Sequence, residues 1–108
     1  MKVLDLIDKY YPQDNELKHI LNVHSRSVAD KALWIAGKHP ELNLDTVFLE
    51  EAAMLHDIGI FLTHAPGIQC FGTEPYICHG YLGAGLVRKE GFPRHALVCE
   101  PVSYTHLR

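Results

Sequence analysis

Val3, Leu4, Leu6, Ile7, Tyr10 and Tyr11 recur at helical spacing among acids and lysines, and Pro12 closes this first short helix. Asp14 is the expected N-cap of the next helix, because a short carboxylate side chain accepts from the free amides of a first turn. Leu17, Ile20, Leu21, His24, Val28 and Ile35 then recur three and four apart along a long amphipathic helix that Gly37 and Pro40 close. Asn43 or Asp45 caps a third helix through Val47, Phe48, Ala52, Leu55 and His56, with Gly59 at its C-terminal stop. Residues 60–75 hold no sustained period. Pro66, Gly67, Gly72 and Pro75 mark them as a long ordered loop, a kind of segment that is often functional in a compact domain. Helical spacing returns from Tyr76 to Glu90 and ends at Gly91, and Phe92-Pro93 opens a last helix carrying Ala96, Leu97 and Val98. No β-hairpin signal and no internal repeat is present. The expected class is all-α, a helical bundle with short connections.

The pattern fails at the end of the chain. Pro101 breaks the last helix just after it begins, and Val102 to Arg108 shows no clear period. The expectation is a partial domain over residues 1–100, incomplete at its C-terminus, and a non-native tail over 101–108. A short native tail is the alternative.

A length of 108 residues allows one small domain. The net charge of −3 gives no basic footprint, so no nucleic-acid partner is expected. The N-terminal stretch carries acids among its apolar residues and is not a signal peptide. No run approaches the ~20 apolar residues needed to span a membrane, so no membrane partner and a cytoplasmic location are expected. Cys70, Cys78 and Cys99 show no C-x-x-C spacing and read as free thiols. The eight histidines are the compositional oddity, and some occupy positions that need explanation.

The run Ala52-Ala53-Met54-Leu55-His56-Asp57-Ile58-Gly59 supplies the chemistry. An apolar helix ends in an adjacent imidazole and carboxylate, a pair suited to divalent transition metals. His56 continues the inward face of its helix, whereas Asp57 is turned roughly 100° from it. Both can reach one ion beyond the helix end, where the chain tightens at Gly59. A buried, unpaired Asp57 would be costly, and a metal removes that cost. His24 shares a face with Leu17, Ile20, Leu21 and Val28 and is expected to point into the core, as a hydrogen-bonded core histidine or as a ligand.

These residues resemble the HD superfamily of metal-dependent phosphohydrolases, whose pattern is H…HD…D. His24, in Asn22-Val23-His24-Ser25-Arg26-Ser27-Val28-Ala29-Asp30-Lys31-Ala32, resembles the first histidine. His56-Asp57-Ile58-Gly59 is similar to the doublet of HDIG-type members. His79, in Tyr76-Ile77-Cys78-His79-Gly80-Tyr81-Leu82-Gly83-Ala84, resembles the histidine that many members carry before an H-x-x-x-G-A helix, and residues 88–93 resemble the turn after it. The resemblance covers roughly residues 17–100 and implies an HD-domain helical bundle. It implies His24, His56, Asp57 and His79 as metal-binding residues, with Asp57 and His79 catalytic. The cofactor implied is a divalent metal: Mn, Fe, Ni, Co, Mg or Zn.

The departures are specific. The family's final ligating aspartate has no counterpart before Arg108, and Ile60 stands where some members carry a lysine. Many members place a further histidine just after the position of Glu100, which Pro101 follows here. The implied activity is hydrolysis of a small phosphorylated substrate, a phosphomonoester or a nucleotide, through a metal-activated water. His79 would bind a second ion or stabilise phosphoryl charge; as a bare helix-start residue it would lie on the surface. Arg26 and Lys31 are candidates for a phosphate or plain surface charges, and His64 lines the pocket or the surface. His106 is a weak substitute for the missing ligand. The rivals are a non-catalytic metal- or nucleotide-binding HD module and an inactive helical fragment, with oligomers formed through exposed apolar surface.

Overall fold

The computed structural model describes residues 2–101. Among them are five α-helices: α1 (Lys2–Tyr10), α2 (Glu16–Lys38), α3 (Thr46–Leu55), α4 (His79–Lys89) and α5 (Pro93–Cys99). The expected all-α class holds. None of these helices is long and apolar enough to cross a membrane. The non-native tail expected over 101–108 lies, from residue 102 on, outside the described residues, as does His106.

The caps show how local sequence sets the boundaries. Asn15, not Asp14, caps α2: its backbone is extended and its side chain accepts from the Lys18 amide at 3.0 Å. The helix starts one residue later than expected, and Asn15 is the residue that reaches the free amide of the first turn. Of the two candidates for α3, Asp45 takes the cap and accepts from the Phe48 amide at 3.0 Å. Asn43 instead ends the single 3-10 turn Pro40–Leu42 in a left-handed conformation, φ 47°.

The core gathers Val3 and Ile7 from α1, Leu21 from α2, Leu55 from α3, Ile58 after it and Val87 from α4. α2 packs most extensively against α3, and its buried positions are Leu21, Ser25, Ala29 and Ala36. Ile35, expected on the core face, is exposed, as is Trp34. Rotation explains it: Ala36, the next residue, continues the buried stripe of Leu21, Ser25 and Ala29, and Ile35 stands roughly 100° from Ala36 around the helix.

Residues 60–75 depart from the expected loop. A 3-10 turn (Ile58–Leu62) leads into β1 (Thr63–Ala65), a second turn (Pro66–Ile68), β2 (Cys70–Phe71) and β3 (Glu74–Pro75). The strand order is β2-β1-β3. β1 pairs antiparallel with β2 (His64 opposite Phe71) and parallel with β3 (Thr63 opposite Glu74). Strands of two or three residues are too short to show a period of two, so hydrophobic patterning misses them.

Tyr11 pins the 58–62 turn from below. Its hydroxyl donates to the Ile58 carbonyl at 2.7 Å and accepts from the Phe61 amide at 3.2 Å. The turn also lies against the start of α4, and Gly59 makes that approach possible: a Cβ there would stand 2.5 Å from the Gly83 amide nitrogen. Gly59 therefore serves close backbone packing. It is not the stop of α3, which ends at Leu55.

Candidate metal centre

The end of α3 turns two adjacent side chains toward one place. His56 keeps helical angles, φ −60° and ψ −30°, whereas Asp57 leaves them at φ −110° and ψ 16°. That break offsets the roughly 100° that an unbroken helix would put between neighbouring side chains. His56 Nε2 lies 3.0 Å from Asp57 Oδ2. From α2, His24 Nε2 reaches the same oxygen at 3.1 Å. From the first residue of α4, His79 Nε2 lies 3.0 Å from Asp57 Oδ1.

The three histidines singled out in the sequence thus converge on the Asp57 carboxylate. Their environments differ. The His79 side chain is 1% exposed, so it is no surface residue, and the aromatic ring of Tyr76 stacks on it with centroids 4.6 Å apart. His56 and Asp57 are largely enclosed. The side chain of His24 is 56% exposed, so the expectation that it points into the core is wrong. The buried stripe of α2 runs through Leu21, Ser25 and Ala29, and His24 lies to one side of it, at the rim of the site.

The donor chemistry tests whether an ion fits. His56 Nδ1 donates to the Ala53 carbonyl at 2.5 Å, and His79 Nδ1 donates to the Tyr76 carbonyl at 2.8 Å. These bonds fix the tautomers. In the neutral rings both Nε2 lone pairs then face an anionic oxygen at 3.0 Å. That arrangement is repulsive unless a proton or a cation lies between them. Ligand atoms of His24, His56 and Asp57 all lie within 4.8 Å of one another, and the group can hold a metal ion. Neighbouring ligands at metal distances of about 2.0–2.2 Å stand about 3 Å apart, which matches these contacts. The residues present fit a divalent ion.

The electrostatics agree with the geometry. Burial pushes the Asp57 carboxyl up, but hydrogen bonds and charge from His56 and His79 outweigh it and hold the group well below the usual carboxylate range. Burial disfavours protonated His56, yet the bond and charge of Asp57 prevail and raise its pKa. In the metal-free protein the site therefore keeps an anionic carboxylate beside an imidazole that readily takes a proton.

The recess over the site is lined by Ile20, Leu21, His24, Asp57, Ile60, Ile68 and Tyr76. Arg26 does not line it, being paired with Asp30 at 3.0 Å and Glu50 at 2.8 Å; nor does the exposed Lys31. His64 is exposed on β1 and stays outside it too. Sequence reasoning missed Ile68 as a wall of the recess, and Tyr76 as both a wall and the support of His79. For Tyr76 the only available signal was its place three residues before His79; for Ile68 there was none. A larger cavity of about 750 Å³ lies over Leu4, Ile7, Val23 and Met54, and none of the four converging residues lines it.

A family model described as the HD domain matches residues 22–108, a span that contains all four of these residues. No curated protein and no solved structure matches the chain.

Proposed function

Since that match takes in most of its length, the chain belongs to the HD domain family, and from this premise we propose that it is a metal-dependent phosphohydrolase of the HDIG type. The observation that carries the reading is the convergence of His24, His56 and Asp57 within 4.8 Å, with His56 Nε2 turned toward Asp57 Oδ2 while its Nδ1 is bonded to the Ala53 carbonyl. A divalent ion held there supplies charge for phosphate oxygens and lowers the pKa of a bound water.

The chain's own residues do the rest. His24, His56 and Asp57 would hold the ion. The Ala53 carbonyl keeps His56 in the ligating tautomer. His79 steadies the far oxygen of Asp57 while the Tyr76 carbonyl and ring hold the imidazole in place. With Nδ1 committed to that carbonyl, His79 Nε2 is the atom that faces Asp57; it would stabilise phosphoryl charge as a donor, or would help to hold a second cation. During hydrolysis the water oxygen bonds to phosphorus, the bond to the organic oxygen breaks, and that oxygen leaves with a proton.

Beyond Asp57, no further carboxylate joins this group among the described residues. A site of two imidazoles and one carboxylate binds an ion more weakly than one with an additional anionic ligand. The test is hydrolysis of p-nitrophenyl phosphate with added Mn²⁺. Turnover that requires the ion and disappears in Asp57→Ala supports the reading. Ion binding with no turnover on any phosphoester of a broad panel supports a binding module instead.

A further inference from the structure

Beside Asp57 and His24 the fold leaves a recess of about 210 Å³. Its walls are Ile20 and Leu21 of α2, Ile60 of the 58–62 turn, Ile68 and Tyr76. Apart from the tyrosine hydroxyl these are hydrocarbon surfaces. None of the described lining residues is Lys or Arg. A second phosphate at this place would lack the guanidinium or ammonium partners that phosphates recruit, and burying it against isoleucines would be costly.

Volume limits size. Drug-sized ligands occupy pockets of roughly 300–1,000 Å³. A dry cavity of about 150 Å³ lined by apolar side chains takes a benzene ring. The recess here, about 210 Å³, lies between the two. Its enclosed part has room for one six-membered ring or a short branched chain, and its hydrocarbon walls offer little to the hydrogen-bonding edges of a nucleobase or the hydroxyls of a ribose. One wall is also held firmly. Tyr76 stacks on His79 and supplies the carbonyl that fixes the same imidazole, so wall and site are oriented together.

We infer that this recess seats the organic group of the substrate, and that this group is a single small ring or a short branched chain without charge. The substrate class is then a compact apolar phosphomonoester, not a nucleotide. The inference rests on the reading of the four converging residues as the phosphoryl site.

Three titrations of the Mn²⁺-loaded protein test it: phenylphosphonate, methylphosphonate and adenosine monophosphate. Phenylphosphonate should bind about tenfold more tightly than methylphosphonate, because only its ring covers the apolar walls. The adenosine compound should bind no more tightly than methylphosphonate. Ile68→Trp fills the recess and should erase most of the phenyl preference; Ile20→Phe is a second variant that fills it from the other wall. A separate arm needs no metal. Benzyl alcohol added to metal-free protein should shift the methyl resonances of Ile20, Ile60 and Ile68. Equal binding of the two phosphonates with unmoved methyl resonances overturns the inference while leaving the metal centre intact. A stronger response to the adenosine compound overturns it as well. Failure to bind Mn²⁺ overturns the metal reading instead, and the methyl shifts then decide whether the recess takes a ring.

Discussion

Gly59 and Gly83 meet backbone to backbone, with Gly59 so placed that a Cβ on it would collide with the Gly83 amide nitrogen at 2.5 Å and with the His79 carbonyl oxygen. This contact brings the turn after Asp57 against the helix that begins at His79. The 3.0 Å approach of His79 Nε2 to Asp57 Oδ1 depends on it. Gly59→Ala is expected to cost about 1–3 kcal/mol, since backbone on both sides must shift to admit the methyl group. It should also weaken Mn²⁺ binding. Gly85 in α4 is the control, because a Cβ there meets nothing within 4 Å. Gly85→Ala should stabilise the protein by about 0.5–1 kcal/mol through helix propensity alone. Urea denaturation of the two variants separates the cases.

The glycine also shows how far the sequence could be read. Helical spacing found α1, α2 and α4 because each buries residues repeating at about three and four; α3 buries four consecutive residues, Ala52 to Leu55, and α5 exposes Leu97 and Val98, so apolar content and the Phe92-Pro93 start located those two. The His56-Asp57 doublet was legible because two ligand-type residues at the end of an apolar run have no packing role. Spacing along one segment carries nothing about contacts between segments. Gly59 therefore read as a helix stop when its role is to meet Gly83. His24 was placed correctly on α2 and wrongly aimed, since one position of rotation separates the buried stripe from the rim. The strands at 63–75 are set by pairing across a turn and are too short for any period.

Tyr11 offers a second test of the support beneath the site. Its hydroxyl is bonded to Ile58 and Phe61 in the turn that follows Asp57. Tyr11→Phe keeps the packing and leaves a buried carbonyl without its donor, which costs about 1–3 kcal/mol. Thermal denaturation should show that loss. An unchanged melting temperature would mean that the turn is held by packing alone.

The cysteines should differ sharply in reactivity. Burial pushes the Cys99 thiol up to about 12, and its sulfur donates to the Leu55 carbonyl at 3.3 Å. Cys70 is also buried, and burial raises its pKa. Cys78 is only partly buried. Iodoacetamide at neutral pH should alkylate Cys78 first and reach Cys70 and Cys99 only with unfolding. Mass spectrometry of the time course checks the order, and early labelling of Cys99 would contradict the packing of α5 on α3.

The site makes stability depend on pH, and differently with and without metal. Asp57, depressed in the fold, contributes stability that is present above its ordinary value near 3.9 and lost as pH falls through the folded value. His56, raised in the fold, contributes stability that is full below about 6.5 and lost as pH rises through its folded value. In chelator the melting temperature should therefore fall between pH 6 and pH 8. Added Mn²⁺ competes with the proton on His56, so the metal-induced gain should grow over the same interval. A gain independent of pH would place the ion away from His56.

The central claim is that His24, His56 and Asp57 hold one divalent ion. Calorimetric titration of Mn²⁺ into the chelator-treated protein tests it most directly, with Asp57→Ala titrated in parallel. A single saturable site in the unaltered protein that vanishes in Asp57→Ala, and weakens in His24→Ala, is the predicted result. Equal binding by the unaltered protein and Asp57→Ala, or no binding by either, would contradict it.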